Sequence, residues 1–158
     1  MEYPYKMNRI LLILILLSNL TFGQAPAWTS SVAAGTLTEA GSNYSLTQTS
    51  ATNQTTISVS GMSTFTTYYV TIHKIDSDWN SGLALWARRS NNGTASSGSI
   101  SGGTSFIQLS SSPQSFFTMS SGLSTSRTNL QFQYQITGIS VLIPAKTHTT
   151  TIVYTLSN

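Results

Sequence analysis

The sequence predicts an all-β chain: an antiparallel β-sandwich of about eight to nine strands, preceded by a cleavable signal helix. Three observations carry that prediction. Residues 10–17 form an unbroken apolar run behind Lys6 and Arg9. Beyond Phe22 no stretch shows the apolar spacing of a helix. Instead, apolar residues alternate with hydroxyls and amides, most clearly where Leu130, Phe132, Tyr134 and Ile136 interleave with Gln131, Gln133 and Gln135. That period of two is the mark of a half-buried strand.

The leader comes first in the chain. A charged start, a short apolar run and the small residues Thr21 and Gly23 ahead of Gln24 match the three regions of a secretory signal peptide. The run is shorter than the about 20 residues a membrane span needs. Met7 offers an alternative start, because Met7-Asn8-Arg9 is itself an ordinary charged region. The expected division is therefore a signal peptide over 1–23 and a β-sandwich domain over 24–158. No stable membrane span is expected after cleavage, and the location follows as secreted, in the periplasm or at the cell surface.

Of the 135 residues from Gln24 onward, 49 are Ser or Thr. Such a bias suits disorder or a mucin-like stalk unless it is patterned. Here it is patterned. Tyr68, Val70 and Ile72 alternate with Tyr69, Thr71 and His73, and Ile57 and Val59 with Ser58 and Ser60. Threonine, being β-branched, is at home on strands. Strands are predicted near 28–37, 43–49, 54–60, 66–75, 82–89, 104–109, 114–119, 129–142 and 147–156. Turn-formers separate them: Ala40-Gly41-Ser42-Asn43, Asp76-Ser77-Asp78, Asn91-Asn92-Gly93, Ser101-Gly102-Gly103, Ser112-Pro113 and Pro144-Ala145. The apolar-poor stretch Ser90–Gly103 is expected to be a long exposed loop, either a hairpin tip or a binding loop.

Composition narrows the function. Only 7% of residues are charged, and cysteine is absent. A disulfide framework, a Cys-ligated zinc, a thiol nucleophile and a lipidated N-terminal cysteine are thereby excluded. The formal charge of +3 falls to +2 without the leader, since Lys74, Arg88, Arg89, Arg127 and Lys146 then face Glu39, Asp76 and Asp78. Only Arg88 and Arg89 are adjacent, which is too sparse a basic patch to hold nucleic acid. His73 and His148 lack partners for a zinc site beyond Glu39, Asp76 and Asp78, and no metal or other cofactor is expected. No Gly-x-Ser-x-Gly elbow is present, so a serine hydrolase has no support. Asp76 and Asp78, the nearest pair of carboxylates, read as turn residues rather than a glycosidase pair. The chain is expected not to be an enzyme.

The aromatic residues say more. Trp86, with Leu83 and Leu85 nearby, suits a sandwich core, yet period two places it on the opposite face with Ala84 and Arg88. Trp79 follows the Asp76–Asp78 segment and either caps the end of the sandwich or stacks on a sugar ring. A ligand site would draw on Trp79, Trp86, Arg88, Asn91 and Asn92. The last predicted strand carries Lys146 before its start and no charge after it. Because edge strands are normally guarded by Lys, Pro or bulges, this strand reads as an intended pairing edge, with Thr149, Thr151, Val153 and Tyr154 as its assembly residues.

The segment Gln133-Tyr134-Gln135-Ile136-Thr137-Gly138-Ile139-Ser140-Val141-Leu142-Ile143-Pro144-Ala145, followed by Thr147–Leu156 with its Tyr154, resembles the ending of secreted pilin-like proteins, including spore coat U-type subunits. The resemblance covers about 25 residues. It implies an incomplete immunoglobulin-like sandwich completed by a neighbour's N-terminal segment, an instance of β-strand addition. Two departures stand out: the family often has a disulfide, absent here, and usually a Gly in the turn where this chain has Lys146. The chain is also similar to envelope proteins of Gram-negative bacteria. The expected function is a non-enzymatic envelope or surface protein, a structural or adhesive subunit that pairs with itself or with another envelope subunit through a strand edge. The alternative is a carbohydrate-binding module with a glycan as its partner.

Overall fold

The computed structural model describes residues 46–140, 142–144 and 146–158. The predicted leader, the predicted strand at 28–37 and the acid Glu39 lie outside the described residues. Within them the chain is all-β, with nine strands: β1 (Leu46–Thr49), β2 (Thr55–Ser60), β3 (Thr67–Asp78), β4 (Ala84–Arg89), β5 (Ser99–Gly102), β6 (Ile107–Gln108), β7 (Gln114–Ser120), β8 (Ser126–Ile139) and β9 (Thr149–Ser157). Every pairing is antiparallel.

Two sheets result. One runs β1-β8-β4-β6, and β2 also pairs β8. β1 and β2 share one edge of the long β8, since Thr49 lies opposite Gln135 and Thr55 opposite Phe132. The other sheet runs β5-β7-β3-β9. The alternation seen in the sequence turns Leu85 and Ala87 of β4 and Leu130, Phe132 and Tyr134 of β8 toward Tyr68, Val70 and Ile72 of β3 and the aromatic pair of β7. Phe132 is 1% exposed. Its ring lies 6.0 Å from that of Phe117 and 4.9 Å from that of Tyr154, both on the facing sheet. The gain from removing this apolar surface from water holds the sheets face to face without a disulfide.

Bulges break the strict period and matter for what faces inward. Phe116 and Phe117 are consecutive yet both buried, because the register slips between Val70 and Thr71 of the neighbouring β3. A second slip lies opposite Ile57 and Val59, where Asn129 takes a φ of 60°. It shifts the inward side from the even positions of β8 to Arg127, which is buried.

Two expectations need correction. The stretch Ser90–Gly103 is not a plain loop. Thr94 bridges Thr128, and β5 pairs with β7 from Ser99 opposite Ser120 to Gly102 opposite Phe117. Asp76-Ser77-Asp78 is not a turn. It is the end of β3, where Asp76 and Asp78 lie opposite Thr150 and Thr149. Of the two readings of Trp86, the one from period two holds: it stands on the outer side of β4 while Leu85 and Ala87 fill the interior.

Candidate functional site

Two features qualify, and both are built from strand geometry. The first is the edge formed by β9. Nine residue pairs join it to β3, from Tyr69 opposite Ser157 to Asp78 opposite Thr149. Among the described residues β9 has no second strand neighbour. Period two divides its side chains. Ile152, Tyr154 and Leu156 pack on the core, while Thr149, Thr151 and Thr155 are exposed and Val153 is half-buried. The four predicted assembly residues therefore separate: Thr149, Thr151 and Val153 lie on the outer face, and Tyr154 points inward. The Tyr154 hydroxyl bonds that of Tyr134 at 2.9 Å, and burial pushes its ionisation well above the usual tyrosine range.

Charge gathers only at the end of this edge. Lys74 Nζ donates to Asp76 at 2.5 Å and Lys146 Nζ to Asp78 at 2.6 Å. Thr150 Oγ1 also donates to Asp76, at 2.7 Å. Burial pushes the Asp76 carboxyl up, but the hydrogen bonds from Lys74 and Thr150 and the Lys74 charge outweigh it and hold the group below its ordinary range. The Lys146 hydrogen bond does the same for Asp78, against a smaller effect of burial and aided by the charges of Lys146 and His148.

The second feature is the outer face of the five-stranded sheet. Trp86 lies opposite Gln108 on one side and Gln135 on the other, and Gln135 lies opposite Thr49. One row thus crosses four strands with an indole, two amides and a hydroxyl. Trp86 Nε1 donates to Thr137 Oγ1 at 3.0 Å, and Gln135 Nε2 to Thr49 Oγ1 at 3.1 Å, which fixes the row. In the next row Arg88 Nε donates to Gln133 Oε1 at 2.8 Å, and its guanidinium carbon stands 4.8 Å from the centre of the Phe106 ring. Trp86 and Arg88 are two residues apart on one strand, so their Cα atoms are about 6.5 Å apart. Both are half-buried, so the face is neither sealed nor fully bare.

Of the five predicted ligand residues, Trp86 and Arg88 come together on this face. The other three lie elsewhere. Trp79 packs against the core, donates Nε1 to the Leu83 carbonyl at 2.9 Å and carries Lys74 Nζ 5.6 Å from its ring centre. Asn91 Oδ1 accepts from Gly93 N at 2.6 Å, as an Asx turn does. Asn92 Oδ1 accepts from Arg89, which faces the interior. Phe106 was missed by sequence reasoning. Its signal was the alternation of Phe106 and Gln108 with Ile107 and Leu109, which puts an aromatic and an amide on one side of a short strand.

Among the described residues no three His, Cys, Asp or Glu gather where they could hold a metal ion. No described helix is long and apolar enough to cross a membrane. No protein-family model matches the chain, and no curated protein or solved structure is significantly similar to it.

Proposed function

We propose that this chain is a secreted, non-enzymatic envelope or surface protein, a structural or adhesive subunit whose immunoglobulin-like sandwich pairs with a second copy through the β9 edge. One observation carries the proposal: β9 spans nine residues with no charge and, among the described residues, is paired on one side only. Unpaired backbone donors and acceptors along such a strand are a template for another strand. Lysine side chains beside an edge oppose that pairing. The test is sedimentation of the mature chain over a wide concentration range, beside a Thr151→Lys/Thr155→Lys variant. Both threonines are exposed, so thermal stability should hardly change. Self-association of the parent and its loss in the variant are expected. A strictly monomeric parent, together with no binding of a peptide spanning residues 24–38, overturns the proposal.

A second reading, carbohydrate binding, is supported by the row of Trp86 with Gln108 and Gln135 beside Arg88 and Phe106. Indole and phenyl faces stack on the apolar face of a sugar, and amides pair its hydroxyls. Binding to a panel of soluble glycans, read by tryptophan fluorescence, should disappear in Trp86→Ala and persist in Trp79→Ala. Equal behaviour of the two variants sinks this reading.

A further inference from the structure

The inner end of the sandwich holds two arginines that neither function above uses. Arg89, the last residue of β4, is 3% exposed, and Arg127, near the start of β8, is 5% exposed. Both reach the same residue: Arg89 donates to Asn92 Oδ1 and Arg127 to the Asn92 carbonyl at 2.9 Å. The two guanidiniums are therefore close neighbours. Burial depresses the ionisation of each, and the Arg127 charge adds to the effect on Arg89.

Among the described residues no carboxylate offsets them. Asp76 is paired with Lys74 and Asp78 with Lys146, beyond Asp76 and Asp78 the chain has only Glu2 and Glu39, and no described ion pair reaches either arginine. Two buried like charges without a counter-charge are costly, because an ion taken out of water is repaid only by a good partner.

The two arginines differ in what satisfies them. Arg89 spends all three nitrogens on neutral oxygens: Gly102 O at 3.1 and 2.6 Å, Asn91 O at 3.3 Å, and Asn92 Oδ1. Its guanidinium carbon also lies 5.8 Å from the Phe117 ring centre. It staples the 90–103 segment to the sandwich. Arg127 makes one such bond, through NH1, although a guanidinium has five N–H donors. Its Nε and NH2 are not sealed off, because the fully enclosed and unpartnered side-chain atoms among the described residues are His73 Nδ1 and His148 Nδ1. These donors of Arg127 are thus not fully enclosed, although the residue as a whole is buried.

We propose that Arg127, backed by the Arg89 charge and rimmed by Asn92, seats one small free oxyanion of the sulfate, phosphate or carboxylate type. The planar fork of a guanidinium matches two oxygens of such a group, and the low exposure admits a small ion rather than a polymer.

The experiment uses the full chain, with sodium sulfate and sodium acetate as probes at millimolar concentration against chloride at matched ionic strength. A saturable rise in the unfolding midpoint is expected, about 3–5 °C at ten times the dissociation constant. It should vanish in Arg127→Gln and weaken in Arg127→Lys, which keeps the charge but loses the fork. Should Arg127→Gln fail to fold, NMR of the parent decides: sulfate should shift the Arg127 Nε–H resonance, and an unmoved resonance overturns the proposal. So does a linear response shared by Arg127→Gln, which is the general salting effect of sulfate. A response to sulfated polysaccharide but not to free sulfate overturns the small-ion assignment. If Glu39→Gln lowers the midpoint and the sulfate response appears only in that variant, the seat belongs to the chain's own carboxylate and the proposal fails.

Discussion

Gly138 shows how narrowly some single positions are specified. It sits in β8 with a φ of +83°, and a Cβ built on it would lie 2.2 Å from the carbonyl oxygen of Gly82. That contact is with backbone, which cannot swing away. Gly61 has a similar φ of +72° but nothing within 4 Å of the added carbon. The pair separates conformational strain from collision. Gly61→Ala should cost about 1–2 kcal/mol, the left-handed penalty alone. Gly138→Ala should cost about 3–5 kcal/mol, with overpacking added to the same penalty. Denaturant unfolding of the two variants measures both, and equal costs would show that the approach of Gly82 is not rigid. At this scale parity made Trp86 legible as an outward residue. Arg127 was not legible, because its direction depends on the bulge at Asn129, and nothing in a single sequence marks where a register slips.

Strands reveal themselves in the sequence when one face is buried and the other wet. β8, with its alternation over residues 130–136 in the sequence, and β9, with its threonines against Ile152, Tyr154 and Leu156, were legible for that reason. Eight of the nine described strands overlap predicted ones. β5 was not foreseen. Its sequence, Ser-Ile-Ser-Gly, has a single apolar residue and ends in a glycine at φ +84°. It is a strand because the edge of β7 offers backbone partners, so the cause lies in its neighbour. The end of β3 was mistaken for a turn because Asp and Ser favour turns. What overrides that preference is tertiary: Lys74 and Thr150 hold Asp76, and Lys146 holds Asp78. Two residues of the candidate ligand face were foreseen for the same kind of reason. Trp86 and Arg88 lie on one strand and share its parity, whereas their nearness to Phe106 and Gln133 depends on pairing between distant segments.

Taken whole, the described residues join the two sheets with apolar contacts, with Arg89 of β4 donating to the Gly102 carbonyl of β5, and with a buried pair of tyrosines. Tyr134 belongs to β8 and Tyr154 to β9, and their hydroxyls meet at 2.9 Å between the sheets. Tyr134 also donates to Thr55 Oγ1 at 2.7 Å, which adds β2 to the link. With no cysteine in the chain and two ion pairs among the described residues, the tyrosine pair makes the sandwich sensitive to base rather than to reductant. Burial raises the ionisation of both phenols, above all that of Tyr154. A raised folded-state value favours the neutral form, so this stabilisation is complete below the unfolded tyrosine value of about 10 and is lost as pH climbs above it. Tyr134 and Tyr154 should ionise only together with the loss of the near-ultraviolet circular dichroism that reports packing. Tyr154→Phe should cost about 0.5–1.5 kcal/mol at neutral pH, since Tyr134 keeps Thr55 as a partner. The same variant should move the alkaline transition to higher pH, because one of the two phenols that ionise on unfolding is gone. An unchanged alkaline midpoint in Tyr154→Phe would mean that the sheets separate in base for a reason unrelated to this pair.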